Sequence, residues 1–142
     1  MSEPLRKLSV PMVALLGCAY TLVGIGFAVP ATHFQAWRWA AWVVSAAGFA
    51  AHIAYERFRL KNAPCSAALH VASAVALGTF GLAVSANIHS ASTGQTDQHR
   101  QLLLLALVIW PVITALPAFL VAWVANVVLA RAFKTMDGDH PE

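Results

Sequence analysis

Four long apolar stretches, at residues about 8–29, 35–55, 65–88 and 101–130, occupy nearly all of this 142-residue chain. A run of ~20 mostly apolar residues is enough to cross the ~30 Å hydrocarbon core of a bilayer. Inside that core the backbone must satisfy its own hydrogen bonds, and a helix does so within one segment. The pattern predicts an all-α integral membrane protein: one domain, a four-helix transmembrane bundle with short loops. A polar outer loop at 90–99 and a short polar tail at 135–142 complete the expectation. Composition agrees, with 59 % apolar and only 11 % charged residues, against ~45–50 % and ~25 % in an average soluble domain. So little charge excludes a disordered tail, a nucleic-acid arm and an ordinary soluble enzyme. The partners implied are the lipid bilayer and other membrane subunits or a second copy of this chain, with no nucleic acid.

Arg6 and Lys7 precede the first span and Pro30 is expected to close it, since proline lacks the N–H a helix needs and disfavours helix in the residue before it. Ser9 is a candidate cap for this span, which would put Pro11 in the first turn, where proline is tolerated. Leu15-Leu16-Gly17-Cys18 is a faint lipoprotein cleavage box, yet apolar residues continue through Val29, so an uncleaved first helix is the expectation. Thr32-His33-Phe34-Gln35 fits a capping box for the second span. Trp37, Trp39 and Trp42 mark its start as a membrane–water interface, where Arg38 can snorkel. Its other end reads Tyr55-Glu56-Arg57-Phe58-Arg59-Leu60-Lys61. The fourth span, at ~45 Å, exceeds the hydrocarbon core, so it must tilt, kink at Pro111 and Pro117, or protrude. Cys18 and Cys65 form no CxxC and read as free thiols.

The basic residues set an orientation. Arg6, Lys7, Arg57, Arg59, Lys61, Arg131 and Lys134 fall on one side, and only Arg38 and Arg100 on the other. By the positive-inside rule both termini are cytoplasmic, in a bacterial cytoplasmic (inner) membrane.

Lipid tails are as apolar as leucine, so helices in a membrane associate through small residues and hydrogen bonds. Ala74, Gly78, Gly81 and Ser85 in the third span recur at helical spacing and form a small-residue stripe. The stripe marks this helix as the central staff of the bundle, with a flat ligand against the backbone as the functional alternative. Ala47, Gly48 and Ala51 make a weaker stripe in the second span.

Ionisable groups at membrane depth are costly and are default functional candidates. His52 and Glu56 are four apart and share a helix face. His70 enters the third helix at a similar depth, and Asn126 approaches the same end on the fourth. Three readings follow for these four residues. They are a structural polar cluster, with Glu56 paired to Arg57 or Arg59. Alternatively, His52 and His70 are axial ligands of haem b. Otherwise His52, Glu56 and His70 relay protons or hold a quinone head group. On the outer side His33, His89 and His99 read as surface residues, and Asp97 with His89 and His99 matches no zinc spacing.

Enzyme signatures are missing: there is no HExxH, GxSxG, CxxC or glycine-rich phosphate loop. Tyr55-Glu56-Arg57-Phe58-Arg59 does not match the glutathione-binding signature of the small four-helix membrane enzymes. The first span lacks the acidic residue that small multidrug transporters need. The expectation is a non-enzymatic accessory subunit or homo-oligomeric membrane component. The alternatives are a haem b- or quinone-binding anchor of an electron-transfer complex, and a small transporter or channel protomer with Asn126 on the path.

Overall fold

A computed structural model of the chain describes residues 10–93 and 97–137. It consists of four helices: α1 Val10–His33, α2 Gln35–Phe58, α3 Pro64–Ser92 and α4 Asp97–Asp137. Stretches of α1, α3 and α4 (Val10–Ala28, Pro64–Ser92 and Gln98–Ala132) are long and apolar enough to cross a membrane. The fold is the all-α four-helix bundle of an integral membrane protein. At 24 residues, α2 is about 36 Å long, yet it is less apolar than the others. Its buried residues are His52, Ile53 and Glu56, so two of the polar groups that lower its hydropathy face the bundle, while others such as Gln35 and Arg38 are exposed.

Several boundaries differ from the sequence expectation. Pro30 does not close α1, which continues to His33. Open space surrounds Gly26 on this helix, since a Cβ there would meet nothing within 4 Å. The capping box at Thr32 does not form, because residue 32 is still helical and Phe34 is the N-cap of α2, extended at φ −132 and ψ 125 with no side-chain cap bond. The Trp37 N–H donates to the Phe34 carbonyl at 3.1 Å, and the Phe27 and Trp37 rings, 5.8 Å apart, brace the corner. The 90–99 region is largely helical, since α3 runs to Ser92 and α4 starts at Asp97. Although α4 contains Pro111 and Pro117, it is one 41-residue helix, about 60 Å long. Between the prolines the Thr114 hydroxyl donates to the Trp110 and Pro111 carbonyls at 2.9 and 3.1 Å. Arg6, Lys7, the Ser9 cap and the tail beyond residue 137 lie outside the described residues.

The centre of the bundle is α3, which packs most extensively on α4 and then on α1, while α2 leans chiefly on α1. The α1–α3 seam is close and reciprocal. A Cβ at Gly78 would lie 2.6 Å from Tyr20 Cβ and 3.3 Å from the Gly17 carbonyl oxygen. One at Gly81 would run into the Thr21 hydroxyl, and one at Gly17 or Gly24 would run into Leu77 or Leu82. Missing side chains thus let the backbones approach. The Thr21 hydroxyl lies 3.0 Å from the Gly17 carbonyl and 3.1 Å from the Gly78 carbonyl, bonding across the seam. On the other flank, the Thr79 and Thr114 hydroxyls meet at 3.0 Å, and Asn87 Nδ2 donates to the Leu103 carbonyl at 2.8 Å. Between α2 and α4 runs an apolar groove of about 720 Å³ lined by residues such as Ile53, Phe58, Leu120 and Val124.

Gly78→Leu is expected to separate α1 from α3, because backbone as well as Tyr20 stands in the way, at a cost of about 1–3 kcal/mol or more. Gly26→Ala, which meets open space, is expected to melt like the wild type. Thermal unfolding in mild detergent distinguishes them, and equal melting temperatures for the two variants would refute the close seam.

Candidate functional site

The site grows from the end of α2. In its last two turns α2 carries His52 and Glu56, four residues apart and therefore on one face. The chain leaves the helix at Arg59, whose N–H returns to the Tyr55 carbonyl at 3.0 Å. Lys61 then adopts φ 50, the left-handed region that side chains other than glycine seldom enter. That turn sets Asn62 facing back towards Glu56, and Pro64 opens α3 in a position where its missing N–H costs nothing. Six residues later, about 9 Å into α3, His70 reaches the same carboxylate.

Glu56 is only 2 % exposed, and His52 and His70 only 4 % each. Asn62 Nδ2 donates to Glu56 Oε2 at 2.8 Å. His70 Nδ1 lies 3.3 and 3.2 Å from Glu56 Oε1 and Oε2. His52 Nε2 is 4.0 Å from Glu56 Oε1, beyond hydrogen-bond reach, while its Nδ1 lies 3.3 Å from the Tyr20 hydroxyl of α1. Two bonded groups result, Asn62 and His70 on Glu56 and His52 on Tyr20, set end to end across a 4.0 Å gap and built from three helices and a loop. Glu56 pairs with Asn62 and His70, not with Arg57 or Arg59 as the sequence led one to expect. Arg57 is half-buried one residue round the helix and Arg59 is exposed at its C-cap, whereas α3 delivers its histidine directly to the carboxylate.

Each contact constrains the protons. The Asn62 amide is always a donor. The His70–Glu56 contact needs one hydrogen, either on Nδ1 or on the carboxyl group. The proton can sit on either side of this bond without any atom moving far. Nε2 of His52 and Nε2 of His70 are buried with no hydrogen-bond partner, an uncommon and costly state for polar atoms.

Asn126 is fully buried on the inward face of α4, below Ala118 and Ala122 at four-residue spacing. Its Nδ2 donates to the Ala122 carbonyl at 2.8 Å, and its Oδ1 has no partner. The structure therefore brings His52, Glu56 and His70 together and leaves Asn126 bonded within its own helix. Ala74 and Gly78 are buried, and Gly81 and Ser85 half-buried, along α3. His33, His89 and His99 are exposed, and among the described residues no group of three or more His, Cys, Asp or Glu is placed to hold a metal ion. The side chain of Asp97 lies outside the described residues. Cys18 and Cys65 are exposed free thiols.

Tyr20 and Asn62 were not singled out from the sequence. A phenol ten residues into an otherwise apolar span was a usable signal for Tyr20. Asn62, among Arg59 and Lys61, reads as ordinary loop, and only the turn at Lys61 reveals its part.

No family model matches the chain, and neither a curated protein nor a solved structure is significantly similar to it.

Glu56→Ala removes the shared acceptor and strands two buried donors, at a cost of about 1–3 kcal/mol for each group left unsatisfied. Its melting temperature in detergent is expected to fall well below that of Asn126→Leu, which deletes an already unpartnered oxygen and is expected to be neutral or stabilising. The reverse order would show that the carboxylate network does not hold this end of the bundle.

Proposed function

We propose that the chain is a small non-enzymatic subunit of a bacterial cytoplasmic membrane, with both termini cytoplasmic, whose His52–Glu56–His70 cluster takes up and passes on a proton. The observation that carries this reading is the burial of Glu56 between two histidines, each with an unpartnered Nε2. A structural ion pair is satisfied at both ends. This cluster instead holds a carboxyl group, two imidazoles with free nitrogen atoms and a phenol, in a line that starts in the loop at Asn62 and ends well inside α1. Histidine gains and loses a proton near neutral pH, and ionisable groups facing the interior of a membrane bundle are typical of proton relays. The basic residues Arg57, Arg59 and Lys61 beside the entrance support a cytoplasmic loop. The outer faces of the helices are apolar, which suits lipid, a second copy or another membrane subunit.

The test is infrared difference spectroscopy of the protein in vesicles during a pH change. A protonated-carboxyl band that appears as the pH falls and is lost in Glu56→Gln is expected. A titrating band that survives Glu56→Gln, or its absence from the wild type, would overturn the relay. A Soret band abolished by both His52→Ala and His70→Ala would replace it with haem ligation. For the orientation, a Cys18→Ser protein in sealed right-side-out vesicles is expected to be labelled at Cys65 by an impermeant maleimide only after the vesicles are opened. Labelling of intact vesicles would reverse the topology.

A further inference from the structure

A second cavity, of about 310 Å³, lies at the inner end of the polar line, and all four helices contribute to its wall. Tyr20 comes from α1, Ser45 and Phe49 from α2, Gly78 and Thr79 from α3, and Ala118 from α4. Ser45 on α2 and Ala118 on α4 are the short side chains that these helices turn to this space. An unfilled void forfeits dispersion contacts along its whole lining. Its volume is at the low end of the ~300–1,000 Å³ typical of ligand sites, enough for one substituted six-membered ring and too little for a porphyrin. Most of the wall is apolar. Ser45 is exposed on α2, so the wall reaches the lipid-facing surface there, and a ligand would come from the bilayer.

The polar points of the wall narrow the class. The Thr79 hydroxyl is occupied by the Val75 and Ala76 carbonyls and by Thr114. Tyr20 is different, because its hydroxyl is joined at 3.3 Å to His52 Nδ1, whose ring lies 4.0 Å from Glu56 on its other side. We infer that this cavity binds the head group of a lipid-soluble quinone or quinol, with Tyr20 as its hydrogen-bond partner. This rests on the relay reading above, and it places the ring beside Tyr20 rather than between His52 and His70.

The two ligand forms would set opposite hydrogen patterns. A quinone carbonyl accepts from the Tyr20 O–H, so the Tyr20 oxygen accepts in turn from His52 Nδ1–H. His52 Nε2 is then bare. A quinol hydroxyl donates to the Tyr20 oxygen, so Tyr20 donates to a bare His52 Nδ1 and the ring hydrogen sits on Nε2. The two patterns differ in the tautomer of His52, so the form of the bound ring is linked to which nitrogen of His52 carries its hydrogen.

The full-length protein in phosphatidylcholine vesicles is labelled with an azidoquinone, with decylubiquinone as competitor, and the labelled residues are mapped by mass spectrometry. Competed labelling on the cavity wall, from at least two helices, is expected. Ser45→Trp, which fills the cavity from an exposed position, is expected to abolish it. Tyr20→Phe, which keeps the ring and removes one hydrogen bond, is expected to weaken decylubiquinone competition up to about tenfold. Thermal unfolding of both variants checks that the bundle is intact. Labelling that is not competed, or that Ser45→Trp leaves unchanged, would overturn the site. Full affinity in Tyr20→Phe would overturn the role of Tyr20. Competed labelling in a protein without a titrating Glu56 band would uphold the cavity and sink the relay, whereas the band without competed labelling would do the opposite.

Discussion

Gly78 has no Cβ, and Tyr20 stands where one would be. That close approach of α1 to α3, repeated at Gly81 against Thr21, sets the position of nearly everything else. In lipid there is little hydrophobic force to drive helices together, so contact comes from surfaces that fit and from hydrogen bonds across them. Here the fit is reciprocal, with glycines on each helix receiving side chains of the other, and the Thr21 hydroxyl bonds across the seam to the Gly78 carbonyl. Because Tyr20 is wedged at Gly78, its hydroxyl is presented at the depth of His52. The seam that holds the bundle also sets the inner end of the polar line.

The carboxylate of Glu56 is the second constraint. A charge in such a place is tolerated only with partners. The partners come from three different parts of the chain: the next helix, the loop and, through His52, the first helix. Two of these groups are incompletely satisfied, since both histidines keep an unpartnered Nε2. A fully satisfied network would be rigid and chemically quiet. The two unpartnered nitrogens are the feature that supports the proposed relay over a structural ion pair. The cavity beside Tyr20 gives the line a second end.

Much of the architecture was legible in the sequence. The apolar runs located all four helices, because in a bilayer the backbone has few alternatives to a helix. The triad of His52, Glu56 and His70 was legible too, from i,i+4 spacing and a short loop that returns the chain at the same depth. The ends of the helices were less legible. Pro30 and Thr32 are signals for helix termini in water, but α1 passes through both, since a single residue at Phe34 suffices to reverse the chain. The outer polar segment is largely helical for a related reason: Ser and Thr near a helix end can bond back to its own carbonyls, as Ser92 and Thr93 do to His89.

What the sequence by itself determined is the number of helices, their membrane character and the small-residue face of α3, because these depend on local composition and spacing. What only the tertiary structure decided is which groups meet. Glu56 has two arginines close by in sequence and bonds to neither, while Asn62 and Tyr20, unremarkable in their own segments, complete its line. Asn126, polar and at the same end, is fully buried yet bonds only to its own helix. The reason is geometric: helix rotation, the left-handed turn at Lys61 and the depth of the α1–α3 seam set these encounters, and each depends on packing between segments distant in the chain.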